Sequence, residues 1–444
     1  MLTVVGLFVS NFSLVSTLVT MLLWLLIKFV GCFALESETM VLLSEAWGVD
    51  LLSVSLLSLT VVVMLLSVVS DKTLYFGGEL VLRPTLWVSL GGFSCFWLFM
   101  SVKWVSFFFF FESSMVPMIL LILSSGSQPE RLQASLQMLT YTFCACIPML
   151  AMICVIILGK GTDHMVLVSM CSKGEVWGQT SWVFLLMGMM VKMPIFLVHG
   201  WLPKAHVEAP MSGSMMLAGV FLKTSVYGIC RLCLCFGCIP IKMSLALASV
   251  SLWGSVVTSL VCLSCADIKR IIAYSSVAHM GIITSSLVMG TSLSWAGSVC
   301  VSLAHGICSP CLFMISGFVS NLSGSRSILI CKGVLSGVPL MNLVWFIYNC
   351  FNLGAPPGSG FFGEYACYCG VLSLMSAYLI PMLIYLLTLG GSFSVMLYAI
   401  TAHGPKSDLV STWSAPPTRE MACAVVGSCI LMMSSLCLDM VLIG

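Results

Sequence analysis

The chain has 444 residues, of which 60% are hydrophobic and only 8% are charged. Soluble domains carry about 25% charged residues, so this composition excludes a water-soluble globular protein. A net charge of +2, from 18 Lys and Arg against 16 Asp and Glu, excludes the basic surface that nucleic-acid binding requires. About 20 apolar residues cross a bilayer, so a chain of this length and composition predicts a membrane protein with many helical crossings.

Apolar segments follow one another along the chain and predict its spans. The first runs from residue 1 to 35, and because it lacks the short apolar core and cleavage site of a secretory signal, we expect it to be retained. The segment 336–375 is too long for one simple crossing. The other spans are predicted at 47–70, 83–102, 104–124, 132–158, 180–201, 211–238, 241–264, 268–290, 293–320, 378–401 and 419–440. The pattern predicts an all-α polytopic membrane protein.

The polar segments between the spans are short. The longest, near 159–179 and 402–420, hold about twenty residues each and leave no room for a nucleotide-binding or redox domain. The chain also has neither a Walker sequence nor a GxGxxG motif after a strand, so we expect it to bind neither ATP nor NAD itself. Charges in the loops and at the ends of the spans are interpreted as solvated, among them Lys269 and Glu420.

The 22 cysteines include several CxxC pairs, which could indicate a metal site or a disulfide framework. Each pair lies in or at the edge of an apolar segment without polar supporting residues, which favours small residues that pack between helices. An iron–sulfur or zinc site at the dense 230–238 cluster is the alternative. The abundance of Met, Ser and Cys is typical of a biased coding system such as an organelle genome. The pairs are Cys230 with Cys233, Cys235 with Cys238, Cys262 with Cys265, and Cys308 with Cys311.

A set of six ionisable residues within the predicted spans is the most informative feature of the sequence. An ionised group at the centre of a bilayer costs at least about 2.5–3.5 kcal/mol, so this set indicates an interior polar path. Acid, ammonium and imidazole groups on separate helices are the types that exchange protons when they are desolvated. The alternative for any single residue is structural: a lysine that reaches the interface, a hydrogen-bonded histidine, or a helix-capping glutamate. The six are Glu112, Lys192, Lys223, His279, His305 and Glu364.

Two helix-breaking sequences stand next to these charges. Pro194 follows Lys192 by two residues, removes an amide donor and frees backbone carbonyls. Such carbonyls are tolerated at membrane depth only beside water or polar partners. A second break is predicted at 352–360, with Glu364 just beyond it. Two interrupted spans, each with an adjacent charge, are the pattern of a transporter built from inverted repeats.

Seven motifs carry a family resemblance that extends from about residue 50 to 440. Together, and in this order, they resemble the antiporter-like membrane subunits of respiratory NADH:ubiquinone oxidoreductase, complex I. The run WLPKAHVEAP at 201–210 is highly specific. The motifs are 110–117 (FFESSMVP), 128–134 (QPERLQA), 192–194 (KMP), 199–210 (HGWLPKAHVEAP), 222–223 with 227–228 (LK and YG), 267–276 with 279–281 (DIKRIIAYSS and HMG), and 304–306 (AHG).

The resemblance implies about 13 to 14 transmembrane helices in two inverted five-helix repeats, each with a broken helix. The first repeat is predicted at 83–238 and the second at 241–401. N-terminal helices are predicted at 1–82, and a C-terminal loop and helix at 402–444. The family usually has fourteen helices, but residues 1–35 hold only one, so thirteen are expected.

The resemblance also implies a role for each buried ionisable residue. A glutamate at 364, where sister subunits generally carry lysine, favours the chain 4 branch over the branches of chains 2 and 5. Arg326 matches an arginine typical of the family. The implied roles are Glu112 as charge-switching partner, Lys192 as central proton carrier, Lys223 as central relay, His279 and His305 as links, and Glu364 as exit-side carrier.

The function that the resemblance implies is proton translocation across the mitochondrial inner membrane by a multi-pass, organelle-encoded subunit. NADH, FMN, iron–sulfur clusters and ubiquinone are expected in partner subunits, and this chain holds neither cofactor nor metal. The expected partners are other subunits of the membrane arm, notably sister chains 2 and 5, and the lipid bilayer. Two alternatives stay open: a subunit of a cation/proton antiporter with the same fold, and a purely structural subunit of the arm.

Overall fold

The computed structural model describes residues 41–42, 44–70, 82–126, 128–172, 178–356, 358–374, 380–405 and 418–436. The predicted span at 1–35 lies outside the described residues. The described part of the chain starts with two short antiparallel strands, β1 (Val41–Leu42) and β2 (Gly48–Val49), in which Val41 lies opposite Val49. Everything after them that forms regular structure within the described ranges is helical.

The helices follow one another along the chain with short connections. In the first half they are α1 (Leu51–Ser70), α2 (Leu82–Met100), α3 (Trp104–Ser113), α4 (Met115–Ser125), α5 (Arg131–Lys160), α6 (Met165–Cys171), α7 (Gln179–Lys192), α8 (Trp201–Glu208), α9 (Met211–Met216), a π-helical segment (Leu217–Phe221) and α10 (Leu222–Phe236). In the second half they are α11 (Ile241–Ser264), α12 (Ile268–Met289), α13 (Ser292–Ser323), α14 (Val334–Gly337), α15 (Pro339–Leu353), α16 (Ser359–Leu374), α17 (Ile380–Ala402) and α18 (Thr418–Leu436).

Eight helical segments within the described ranges are long and apolar enough to cross a bilayer. The prediction of an all-α polytopic membrane protein is therefore confirmed. Two of the eight combine shorter elements, because α3 continues into α4, and α9 continues through the π-helical segment into α10. The count of 13 to 14 helices and the inverted arrangement stay predictions.

The centre of the fold consists of the span at 211–236 with helices α12 and α13. About nine-tenths of each is buried inside the chain, whereas α5 and α17 are only about one-third buried. The peripheral helices expose large apolar side chains such as Leu158 and Ile384, as is typical of surfaces that face lipid or other apolar partners. The central helices are therefore the ones in which buried charges find protein neighbours.

Close contact between α13 and α16 depends on two glycines. A Cβ atom on Gly297 would lie 2.7 Å from the backbone nitrogen of Cys367, and one on Gly363 would lie 2.9 Å from that of Val301. Small residues of this kind let helix backbones approach in membranes. Because Gly363 precedes Glu364, the same contact sets the position of that carboxylate.

Both predicted helix breaks are present. The predicted span 180–201 is helical only to Lys192, turns at 193–200, and resumes as α8. Leu197 has a φ of 88°, a strained value for a residue with a side chain. The long segment 336–375 contains α15 and α16, and the break between them begins with a turn at 354–356.

A buried ion pair joins the start of α1 to α10. Arg231 donates to both oxygens of Asp50, at 2.6 and 2.7 Å, and the Asp50 side chain also accepts from the backbone nitrogen of Ser53. Only 5% of the Arg231 side chain and 17% of the Asp50 side chain are exposed. Burial acts to raise the pKa of Asp50, but the charge and hydrogen bonds of Arg231 and Ser53 hold it below its usual value. The charge of Asp50, just before α1, is thus balanced by a buried arginine on α10.

Asp50→Asn is expected to destabilise the chain by about 3 kcal/mol, because it leaves the Arg231 charge buried without a partner. Since the folded-state pKa of Asp50 lies below the unfolded one, the pair stabilises fully above about pH 4 and loses this contribution as the pH falls further. The melting temperature of the wild-type assembly should exceed that of the variant by a constant margin down to about pH 4. A margin that changes near neutral pH would contradict this account.

Candidate functional site

The first group of buried ionisable residues is the pair of Glu112 on α3 and Lys192 at the end of α7. The Lys192 Nζ atom lies 3.4 Å from Glu112 Oε1; the lysine side chain is fully buried and the glutamate is 24% exposed. Nζ also donates to the carbonyl of Phe111 and lies 3.2 Å from the centre of its ring. The Lys192 ammonium thus contacts a carboxylate, a carbonyl and an aromatic face. Among the described residues, no other basic side chain lies at hydrogen-bond distance from it.

Two backbone carbonyls that the helix break beside Lys192 releases accept other hydrogen bonds. Pro194 has no amide hydrogen, so the carbonyl of Met190 accepts instead from the nitrogen of Ile195 at 3.1 Å. The carbonyl of Val191 accepts from the indole nitrogen of Trp201 at 3.0 Å. Trp201 is fully buried at the start of α8. The indole therefore connects the two halves of the broken helix, one residue before Lys192.

Trp201→Phe is expected to lower the thermal stability by about 1 kcal/mol, because the Val191 carbonyl loses its donor while the aromatic volume is largely kept. We also expect a partial fall in proton transport, since the end of α7 that carries Lys192 becomes less constrained. Calorimetry and proton uptake by vesicles would measure the two effects. A matched substitution, Trp253→Phe on the exposed side of α11, should change neither.

The second group begins at Lys223, in the first turn of α10 after the π-helical segment. Its Nζ atom donates to the Ala218 carbonyl at 2.6 Å and lies 3.0 Å from His305 Nδ1. A π-helical turn shifts the hydrogen-bonding register of its helix, which explains why a side chain can reach a carbonyl five residues earlier. When Lys223 is charged, Nδ1 of His305 accepts and the imidazole proton sits on Nε2.

Helices α12, α13 and α16 extend this group. The rings of His305 and His279 are 5.6 Å apart, and His279 Nδ1 lies 3.2 Å from Glu364 Oε1. The structure thus brings Lys223, His305, His279 and Glu364 into one continuous cluster. An ammonium, two imidazoles and a carboxylate in this order can pass a proton by small movements, because each neighbour can both take and release one.

The two groups are separate. Within the described ranges no hydrogen bond or ion pair joins Lys192 to Lys223. Apolar side chains pack tightly against Gly228 on α10. A Cβ atom on this glycine would lie 2.5 Å from the sulfur of Met189 and 3.1 Å from the ring of Phe107. The sequence predicted one interior path for all six residues. The structure instead separates them into a pair, Glu112 and Lys192, and a cluster of four. Their roles stay predictions.

Sequence reasoning missed a set of buried polar residues behind α8. His206 is fully buried, with its ring stacked on Phe313 at 4.5 Å. Lys269 is 7% exposed and donates to the Ala209 carbonyl at 3.2 Å, so its interpretation as a solvated charge was wrong. The reason is that α12 begins at Ile268, one residue earlier, which turns the lysine inward. Its position inside the predicted span 268–290 was the signal that could have found it.

Two glutamates are buried as well. Glu208 is 4% exposed and lies 3.9 Å from Arg326. Glu420, which was also interpreted as solvated, is 1% exposed in the first turn of α18. As for metals, no group of three or more His, Cys, Asp or Glu among the residues with described positions could hold an ion.

Comparison with known proteins gives a consistent family. Residues 101–395 match the family model described as NADH:quinone oxidoreductase/Mrp antiporter, TM. The chain is 36% identical to NADH-ubiquinone oxidoreductase chain 4 of Locusta migratoria, over 89% of this chain and 88% of that protein. It is 32% identical to the protein of the same name from Lumbricus terrestris, over 84% and 83%.

Solved structures share the fold at lower identity. A chain of respiratory complex I from Thermus thermophilus with bound NADH superposes with a TM-score of 0.80 at 20% identity, covering 95% of this chain and 90% of that one. A chain of the Mrp complex from Dietzia sp. DQ12-45-1b has a TM-score of 0.81 at 16% identity, covering 97% and 90%. The fold of this chain is thus similar to that of a chain from each of the two assemblies.

Proposed function

The chain belongs to the NADH:quinone oxidoreductase/Mrp antiporter family of membrane subunits, and from this we propose that it is a proton-translocating membrane subunit of respiratory complex I. Relatives named NADH-ubiquinone oxidoreductase chain 4 match it over most of their length, which favours that assembly over an Mrp-type antiporter. Electron transfer from NADH to ubiquinone belongs to partner subunits, and this chain moves protons in response.

The observation that carries the proposal is the buried cluster of Lys223, His305, His279 and Glu364. Its members come from four different helices, and successive contacts of 3.0 and 3.2 Å flank a ring separation of 5.6 Å. Burial of so many ionisable groups is costly, so a chain that had only to hold its neighbours together would not need them. They serve as a relay.

In this mechanism the Glu112–Lys192 pair controls how the relay is loaded. While the carboxylate stays 3.4 Å from the ammonium, it stabilises the charged lysine. When the carboxylate moves away, the buried ammonium loses its counter-charge and releases its proton. Since Lys192 and Lys223 do not touch, passage between the two groups requires a movement or a bridging group near Met189 and Gly228.

The remaining architecture is part of the same proposal. The chain has 13 or 14 transmembrane helices, with antiporter-like repeats at 83–238 and 241–401 that are inverted relative to each other. The broken helices α7–α8 and α15–α16 occupy equivalent places in the two repeats. The partners are membrane-arm subunits, including sister chains 2 and 5, in the mitochondrial inner membrane. NADH, FMN, iron–sulfur clusters and ubiquinone lie in other subunits.

Native gel separation of detergent-solubilised membranes tests the assembly. We expect mass spectrometry to find this chain in a large band that also stains for NADH dehydrogenase activity. Its recovery only in a small complex without that activity would overturn the proposal. Sodium exchange by vesicles in the absence of NADH oxidation would then support the antiporter alternative, which shares the fold.

A further inference from the structure

The break between α15 and α16 interrupts the ladder of backbone hydrogen bonds that would otherwise fix one half of the helix relative to the other. Glu364 lies just beyond this break and also touches its first turn. A Cβ atom on Gly354, whose φ of 77° ends α15, would lie 3.0 Å from Glu364 Oε2. The distance of 3.2 Å between this carboxylate and His279 Nδ1 therefore depends on what holds the two halves.

Tyr348 holds α15 on the near side of the break. Its backbone carbonyl accepts from the thiol of Cys308 on α13 at 3.5 Å. Its phenol hydroxyl donates to the carbonyl of Ala424 on α18 at 2.7 Å, and the residue is fully buried. One residue, within two turns of the break, thus binds α15 to two other helices.

Ser359 holds α16 on the far side of the break in the same way. Its backbone carbonyl accepts from the thiol of Cys300 on α13 at 3.4 Å. Its hydroxyl lies 3.1 Å from the hydroxyl of Ser434 on α18. Because Ser434 donates its own hydrogen to the Leu431 carbonyl at 2.7 Å, Ser359 is the donor between the two serines. Each half of the broken helix is therefore bound to the same two helices, α13 and α18.

The contact points on α13 and α18 span similar lengths. Cys300 and Cys308 are eight residues apart, which is about 12 Å along a helix axis. Ala424 and Ser434 are ten residues apart, which is about 15 Å. Two intact helices thus run past the broken one and bind it on both sides of its interruption.

The hydroxyl bonds to α18 contribute more to this hold than the thiol bonds to α13, because a thiol is a weak donor. α18 also packs closely against α15 between its two contact points. A Cβ atom on Gly427 would lie 2.5 Å from the phenol oxygen of Tyr348. A small residue at this place lets the two helices approach. The two hydroxyls are therefore the groups whose removal should loosen the break most.

We propose that Tyr348 and Ser359 are positioning residues for the relay. Bound to α13 and α18, they keep Glu364 at hydrogen-bond distance from His279. When these bonds are lost, the two halves of the broken helix shift and the carboxylate moves away from the imidazole. This inference rests on the proposed function, because it names the residues that hold the last member of the relay in place.

Two substitutions loosen the two halves separately without changing a charge. Tyr348→Phe removes the hydroxyl that binds α18, and Ser434→Ala removes the acceptor of the Ser359 hydroxyl. Ser434→Thr keeps that acceptor at a half-buried position. Tyr398→Phe is the matched control, because it removes a hydroxyl that accepts from Asn342 at 3.0 Å, near the start of α15 and away from the break.

The experiment measures protons translocated per NADH oxidised by vesicles that contain the complete complex. We expect Tyr348→Phe and Ser434→Ala each to reduce this ratio partly, and the double variant to reduce it to the level of Glu364→Gln. Ser434→Thr and Tyr398→Phe should keep the wild-type ratio. NADH oxidation by uncoupled vesicles should be unchanged in all of them. Tyr348→Phe should cause no further loss when it is combined with Glu364→Gln, because it acts through that carboxylate.

A density map of the complex with the double variant tests the geometry directly. We expect the distance between Glu364 and His279 to exceed hydrogen-bond distance, while α12 and α13 keep their positions. A map in which the 3.2 Å contact is kept would overturn the inference. So would a wild-type ratio in the assembled double variant, and the proposed function would then stand, provided that Lys192→Ala has lost its pumping.

A wild-type ratio in Lys192→Ala would instead overturn the proposed function. Should the double variant fail to assemble, the single variants at Ser434 decide. A lower ratio in Ser434→Ala than in Ser434→Thr supports the inference, and equal ratios overturn it.

Discussion

Lys192→Ala is expected to abolish the proton pumping that depends on this chain while the complex still assembles. The substitution removes the basic side chain that lies 3.4 Å from the Glu112 carboxylate. No charge is left for a movement of Glu112 to load or release. Proton uptake per NADH oxidised, measured in vesicles, would record the loss.

The control for this prediction is Lys242→Ala, at the exposed start of α11. It removes the same side chain without touching a buried group and should leave the proton ratio unchanged. Native gels of both variants should show the full-sized complex. Full pumping by an assembled Lys192→Ala complex would contradict the proposed relay. Loss of assembly in that variant alone would instead favour a purely structural role for this chain.

Lys223→Met is expected to have an effect of similar size, because it breaks the second group at its first member. Methionine keeps most of the length of lysine but cannot hold a proton or donate to His305. Removal of the buried ammonium also removes a desolvation cost, so the fold should tolerate it. We expect pumping to be lost with little change in melting temperature.

Thr224→Val is the matched control, since Thr224 is fully buried beside Lys223 and donates to the Phe221 carbonyl at 2.7 Å. It disturbs the same turn without changing the charge. If Thr224→Val impaired pumping as strongly as Lys223→Met, the geometry of the π-helical segment and not the ammonium would be responsible. NADH oxidation by uncoupled vesicles should be the same in both variants.

The sequence predicted those parts of the fold that depend on local chemistry. Apolar length gave the spans, and Pro194 gave the break after Lys192, because a proline always lacks an amide hydrogen. The sequence could not predict the π-helical segment at Leu217–Phe221, since its register depends on packing against other helices. A Cβ atom on Gly219, for example, would lie 2.7 Å from Val63 on α1 and 2.9 Å from Pro310 on α13.

The candidate site was predictable in its members but not in its connections. The free-energy cost of placing a charge inside the bilayer was enough to single out the six ionisable residues, because charged groups are rare within membrane spans. Which of them touch depends on the tertiary fold, and Lys192 and Lys223 turned out to lie in separate groups. Lys269 and Glu420 were misread because an end of a span and an adjacent loop look alike in sequence, while burial there is decided by neighbouring helices.

The π-helical segment also limits changes in the number of residues between α9 and α10. An α-helix turns by about 100° per residue, so the loss or gain of a single residue between α9 and α10 would rotate every later side chain of α10 by that angle. Lys223 would then point away from His305, and Arg231 away from Asp50. Substitutions in this stretch can preserve both partnerships, but a change in its length cannot. Insertions and deletions are therefore expected to be excluded here even where the residue types drift.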